Sequence, residues 1–267
     1  MVIDPYRYNQ FVAFPDNNDV LPLVEVSPRL AAERTRVILS IGNSMYCNSI
    51  RDATRTLDNA DLYVPANDGV QIMSLKNGGL YRAREPLINI GVHRLACVLT
   101  TLGDLLISSG QADRVILAPV AVNGVFMARF ADLDDLGNRY IAMLRRLAAR
   151  DLYPTEILLG GAENEAFAGG AWVTGYASVL TRIIANLRAA GATAPIYIAR
   201  STYSAHAVQT GAAALLAAIN SVVNGTTERL GVVMDDLGDN YRADGTHLDY
   251  THGRPTVAAR WCDLLSV

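Results

Sequence analysis

Short apolar runs alternate with longer amphipathic stretches along most of this chain. Val37–Ile41, Val115–Val122, Glu156–Leu159 and Pro195–Ala199 are brief, rich in aliphatic and β-branched residues and bounded by polar or turn-forming residues, as buried strands are. Between and after them lie segments whose apolar residues recur with helical period: Val92–Ser109, Leu133–Arg150, Ala171–Ala190, Ala207–Val223 and Pro255–Leu265. In Tyr140-Ile141-Ala142-Met143-Leu144-Arg145-Arg146-Leu147 the arginines fall off the apolar stripe, and Gly110 and Gly191 stand where C-caps belong. This alternation predicts an α/β fold, a three-layer α/β/α sandwich with helices on both faces of a central parallel sheet.

Two regions depart from the pattern. Residues 1–34 carry Pro5, Pro15, Asp16-Asn17-Asn18-Asp19, Pro22 and Pro28 with no sustained period, and read as an irregular N-terminal extension packed on a core domain of residues 35–267. Within residues 50–90, Pro65-Ala66-Asn67-Asp68-Gly69 and Lys76-Asn77-Gly78-Gly79 flank Val70–Met73, the signature of a small hairpin. There is no internal repeat.

Composition narrows the function. The chain has 267 residues, 51% of them apolar, and a net charge of −3 with both signs intermixed, which fits one domain with a large core and gives no reason to expect a nucleic-acid partner. Apolar runs such as Val115–Val122 fall short of the roughly 18–20 residues a membrane helix needs. Met1–Gln10 lacks a basic segment followed by an apolar stretch, so no signal peptide is expected in this chain, and both a cytoplasmic and a secreted protein fit it. Cys47, Cys97 and Cys262 match no zinc spacing and are too few for a disulfide scaffold; they are expected in the core.

Candidate chemistry sits at two places far apart in the chain. The first apolar run breaks into Gly42-Asn43-Ser44, which puts a serine beyond the carboxyl end of a strand, where open α/β sheets bind ligands. Near the C-terminus the chain reads Asp244-Gly245-Thr246-His247. A serine hydroxyl is a poor nucleophile at neutral pH and needs a base, and a carboxylate that orients the imidazole completes the set: Ser44, His247 and Asp244. His247 is preferred to His93, His206 and His252 because Asp244 precedes it in a short glycine-containing loop. Alone, either motif reads as an ordinary turn; together, in this order, they point to acyl transfer.

These blocks resemble the SGNH hydrolases, and further stretches resemble the sialate O-acetylesterase-like group and carbohydrate esterase family 6 within that superfamily. Ala83-Arg84-Glu85-Pro86-Leu87 is followed by Gly91, then Pro119-Val120-Ala121-Val122-Asn123-Gly124, then Gly161-Ala162-Glu163-Asn164, in the group's order. The resemblance implies a flavodoxin-like domain, a metal-independent serine esterase mechanism without a cofactor, and a small ester substrate such as an acetylated carbohydrate. It departs from the group's pattern at Met45, Asn123 and Gly161, the last where glutamine is usual. The oxyanion hole it implies uses the N–H groups of Ser44 and Gly124, with the side chain of Asn123 or Asn164 as a third donor; Glu163 would buttress the loop. An esterase on a lipid, thioester or aryl ester, or a non-catalytic saccharide-binding module, would share most of these residues. Asp235, Asp236 and Asp239 read as a solvated acidic loop, and Trp172 with Tyr176 as a packed helical pair or a sugar-stacking one.

Overall fold

The computed structural model describes residues 34–47, 50, 63–90, 96–205 and 211–266. Its centre is a sheet of β1 (Thr35–Gly42), β2 (Val70–Met73), β3 (Leu80–Arg82), β4 (Arg114–Ala121), β5 (Glu156–Gly160), β6 (Ile196–Arg200) and β7 (Glu228–Val233). The order across it is β3-β2-β4-β1-β5-β6-β7, with every neighbouring pair parallel except β2–β3. The helices are α1 (Val98–Ser108), α2 (Ala128–Ala131), α3 (Gly137–Ala148), α4 (Glu163–Ala168), α5 (Ala171–Thr174), α6 (Tyr176–Ala189), α7 (Ala212–Val222) and α8 (Gly253–Leu264).

The period-two alternation of strand side chains divides the core in two. Ile38, Leu117, Leu158 and Val232 share one layer with Leu99, Leu102 and Leu106 of α1 and Val257 and Trp261 of α8. Val37, Leu39, Ile41, Ile116 and Leu159 face the other, against Tyr140, Met143 and Leu147 of α3, Leu180 and Ile183 of α6, and Ile219 of α7. This is the three-layer α/β/α arrangement the alternation predicts. Each fully buried aliphatic side chain contributes about 1.5–3 kcal/mol, so both layers are needed to hold the sheet.

Several expectations are revised. The expected hairpin forms, but β2 also runs parallel to β4, so the hairpin completes one edge of the sheet. β7 was not foreseen: it is short, opens on Glu228-Arg229 and contains Gly231. That glycine is required by packing, because a Cβ there would lie 2.8 Å from Ala199 N, Ile198 C and the Trp261 ring. The expected helix over Ala171–Ala190 is two helices that meet at Gly175. The expected extension, save Arg34, the expected starts of helices at Val92 and Ala207, and Gly91, His93 and His206 lie outside the described residues. All three cysteines are buried and free, and no described helix is long and apolar enough to cross a membrane.

Candidate active site

The carboxyl end of β1 is closely packed on its neighbours. Gly42 lies opposite Gly160 of β5, and a Cβ on it would come within 2.2 Å of Gly160 O and 2.6 Å of the Tyr46 ring. Beyond it a single helical turn, Ser44–Tyr46, is capped by the buried Asn43, whose Oδ1 accepts from Met45 N at 3.3 Å. Asn43 Nδ2 donates to Glu163 Oε2 at 3.0 Å. A side chain at position 161 would obstruct that bond: its Cβ would fall 2.3 Å from Asn43 Oδ1, and Gly161 holds φ at +107°. The glycine that stands where glutamine is usual therefore makes room for the Asn43 amide beside buried Ser44.

Three consecutive residues opening α4 each hold a different piece of the site. Glu163 accepts from Asn43 and from Ser201 Oγ. Its burial raises its pKa, against the opposing pull of those bonds and of the Arg242 charge. Asn164 Nδ2 donates to Val125 O at 2.8 Å, which spends one of its two N–H groups on the loop after β4. Glu165 Oε1 accepts from Met127 N at 2.6 Å, and burial pushes this carboxyl up to about 7 in spite of that bond. The loop so anchored carries Gly124 in the left-handed region, φ +69°, with its N–H meeting no acceptor among the described residues. In the same loop Asn123 Oδ1 is buried with no hydrogen-bond partner among the described residues.

The Asp244–His247 loop follows β7. Asp244 Oδ2 lies 2.8 Å from His247 Nδ1, and Asp244 Oδ1 accepts from the backbone N–H of His247 at 2.8 Å and of Thr246 at 3.1 Å. Burial alone would raise the Asp244 pKa, but the imidazole and the two N–H groups outweigh it and hold the carboxylate well below its ordinary range. Gly245 supplies the positive φ of the turn, +73°, and its carbonyl accepts from Ala205 N at 2.8 Å. Ser204 Oγ and Thr246 Oγ1 are 2.7 Å apart, so the loop after β6 supports the loop after β7.

Sequence reasoning missed the residue that braces the Asp244–His247 loop. Buried Arg242 donates to the carbonyls of Leu237, Met234 and Thr246, lies beneath the Tyr203 ring at 4.6 Å, and is close enough to Glu163 for each to shift the other's titration. An arginine two places before an Asp-Gly-Thr-His stretch carries no sequence signal of that role. Asn43 and Ser201 were missed as connectors for the same reason. Hydrogen bonds thus run from the Ser44 turn through Asn43 and Glu163 to Ser201 at the start of the loop after β6, and Ser204 of that loop meets Thr246, next to His247.

The acidic cluster is more structured than a solvated loop. Asp235 accepts from the N–H groups of Thr202 and Tyr203 at 2.6 and 3.0 Å, Asp236 pairs with Arg260 at 2.6 Å, and Asp239 accepts from Tyr203 Oη at 2.9 Å. Trp172 and Tyr176 do not pack on each other: Tyr176 is buried, whereas the Trp172 ring stacks on Phe126.

No family model matches the chain, and no curated protein matches its sequence. Solved structures do match its fold. A protein from Arabidopsis thaliana is 14% identical over 86% of this chain and 97% of that one, with a TM-score of 0.64. A family two carbohydrate esterase from Clostridium thermocellum, in complex with cellohexaose, is 12% identical over 90% of this chain and 65% of its own length, with a TM-score of 0.51. A carbohydrate acetylesterase family member from Sinorhizobium meliloti is 14% identical over 86% and 96%, with a TM-score of 0.50. At such identities the likeness establishes the fold alone, a fold this chain shares with solved carbohydrate esterases.

Proposed function

We propose that this protein is a serine esterase that removes acetyl groups from an O-acetylated carbohydrate, with Ser44 as nucleophile, His247 as base and Asp244 as its orienter. The observation that carries the reading is the 2.8 Å Asp244–His247 pair, in a loop that contacts connect to the Ser44 turn. Asp244 holds the imidazole with Nδ1 protonated and leaves Nε2 to take the Ser44 proton. The serine oxygen attacks the ester carbonyl, and the carbonyl π electrons move onto the oxygen. Collapse of that intermediate breaks the C–O bond to the sugar, whose oxygen takes the proton from His247. Water, deprotonated by the same imidazole, then attacks the acetyl-serine; acetate leaves and Ser44 regains its proton.

The oxyanion is held by the N–H groups of Ser44 and Gly124. Asn123 is the better third donor of the two candidates, since Asn164 Nδ2 is engaged by Val125 O and the buried Asn123 Oδ1 leaves the amide nitrogen as the end that can turn to a ligand. Each such donor contributes about a hundred- to a thousandfold in rate. The carbohydrate reading is supported by the fold's likeness to carbohydrate esterases, and the mechanism needs neither metal nor organic cofactor.

The test is acetate release from acetylated xylan and from O-acetylated sialic acid, with Ser44→Ala as the comparison. The expected result is release by the native chain that falls at least about a thousandfold in Ser44→Ala, with Ser44 labelled by a serine-directed phosphonate. Release that persists in Ser44→Ala overturns the nucleophile; hydrolysis of aryl or thioesters alone overturns the carbohydrate substrate.

A further inference from the structure

The loops that follow the two strands flanking β1 meet in a pair of aromatic rings that the ester chemistry does not use. Phe126 follows β4 and stands two residues after Gly124; Trp172 lies on α5, after β5. Their rings stack with centroids 4.0 Å apart and planes 13° from parallel. Trp172 is nonetheless 44% exposed, and Phe167, at the other end of the same turn, is 67% exposed. Near-parallel ring stacks are usual in cores, where both rings leave water; here apolar ring area stays in solvent on the loop that carries Gly124.

The pair is held from below. Phe126 sits between Val125, whose carbonyl accepts from Asn164, and Met127, whose N–H donates to Glu165. Trp172 is turned toward it by Gly169 and Gly170, two successive residues at positive φ (+65° and +55°), and by the bond from Trp172 N to Gly169 O at 3.2 Å. A flat ring surface fixed on hydrogen-bonded backbone loses little freedom when a ligand settles on it. Its openness to water suits an amphipathic ring with an apolar C–H face and a hydroxyl rim better than an acyl chain, which would be left half in water.

We propose that Phe126 and Trp172 form a platform on which a pyranose ring of the substrate stacks, next to the Ser44 and Gly124 loops. For turnover this rests on the esterase reading; for binding it does not. Two measurements keep the two apart. The chain contains two tryptophans, and Trp261 is fully buried, so emission from Trp172 reports on its surroundings. In Ser44→Ala, unacetylated xylo-oligosaccharide should change that emission saturably, and Phe126→Ala should weaken the titration about five- to tenfold. In the active chain, Trp172→Ala should raise KM for an acetylated xylo-oligosaccharide by about the same factor, leave the constants for an aryl acetate within about twofold, and be largely rescued by Trp172→Phe.

Equal losses on both substrates, or no loss on either, would overturn the platform while leaving the esterase intact. A chain that hydrolyses no ester yet shows the saturable emission change would retain the platform and lose the esterase. No emission change with xylo-, cello- or chito-oligosaccharides would overturn the platform.

Discussion

Asp244–His247 and Asp249–His252 have the same spacing, five residues apart in one chain, and each aspartate accepts from the backbone N–H of its histidine. Their side chains differ. In the first pair Nδ1 lies 2.8 Å from Oδ2 and the imidazole is 25% exposed; in the second the distance is 3.5 Å and the imidazole is 66% exposed. Asp249 is instead occupied at the start of α8, where Oδ1 accepts from the N–H groups of His252 and Gly253. Asp-x-x-His is therefore a local turn that any loop can make, and the spacing alone does not define a catalytic pair. The first pair is distinguished by what grips its loop from outside: Arg242 on the Thr246 carbonyl, Ala205 on the Gly245 carbonyl, and Ser204 on the Thr246 hydroxyl.

The two pairs should respond differently to the same kind of substitution. Asp244→Asn should lower kcat by about a thousandfold or more, because an amide no longer fixes the imidazole tautomer, and should lower the urea unfolding midpoint at neutral pH only slightly. A loss under tenfold in steady-state rates would remove Asp244 from the mechanism. Asp249→Ala should do the reverse, costing about 1–2 kcal/mol of stability through the lost acceptor at the start of α8 while kcat stays within about twofold. His252→Ala should change stability by no more than about 0.5 kcal/mol. If either variant abolished activity, the assignment of the base to His247 would fail.

Acid titration gives the smallest of these effects. The Asp244 carboxyl is held below its ordinary range in the folded protein, so the folded state binds its proton less readily than the unfolded state does. That contributes stability which is present above the unfolded pKa, near pH 4, and is lost as pH falls through the folded value. Native protein should therefore lose stability more steeply below about pH 4 than Asp244→Asn, measured as denaturation midpoints; parallel curves would mean that the pair contributes nothing to folding.

Much of the fold was legible because it depends on local pattern. The alternating apolar runs identified β1, β4, β5 and β6, and the Asn77-Gly78-Gly79 turn identified the β2–β3 hairpin. Where Gly231 weakened the strand pattern, β7 was lost to view, since the reason for that glycine is the approach of Ala199 and Trp261 from other elements. The packed-pair reading of Trp172 and Tyr176 fell short in a similar way: their helical spacing suggested a contact, but the helix breaks at Gly175 and the Trp172 ring stacks on Phe126.

The candidate site divides along the same line. Ser44, Asp244 and His247 could be proposed because the chain has only four histidines, the serine follows a strand at a glycine turn, and Asp244 meets His247 within a single turn. The hydrogen bonds among Asn43, Glu163 and Ser201, the charge of Arg242 beside Glu163, and the room Gly161 leaves for Asn43 were invisible, because they join residues distant in sequence. By itself the sequence determined the alternation of strands and helices, the buried apolar layers and the local Asp–His turn, all set by interactions between near neighbours. Only the tertiary structure decided which of two identical Asp-x-x-His turns is gripped by the loop after β6 and by Arg242, and how that loop is tied to Ser44. Those contacts exist only once β1, β5, β6 and β7 lie side by side.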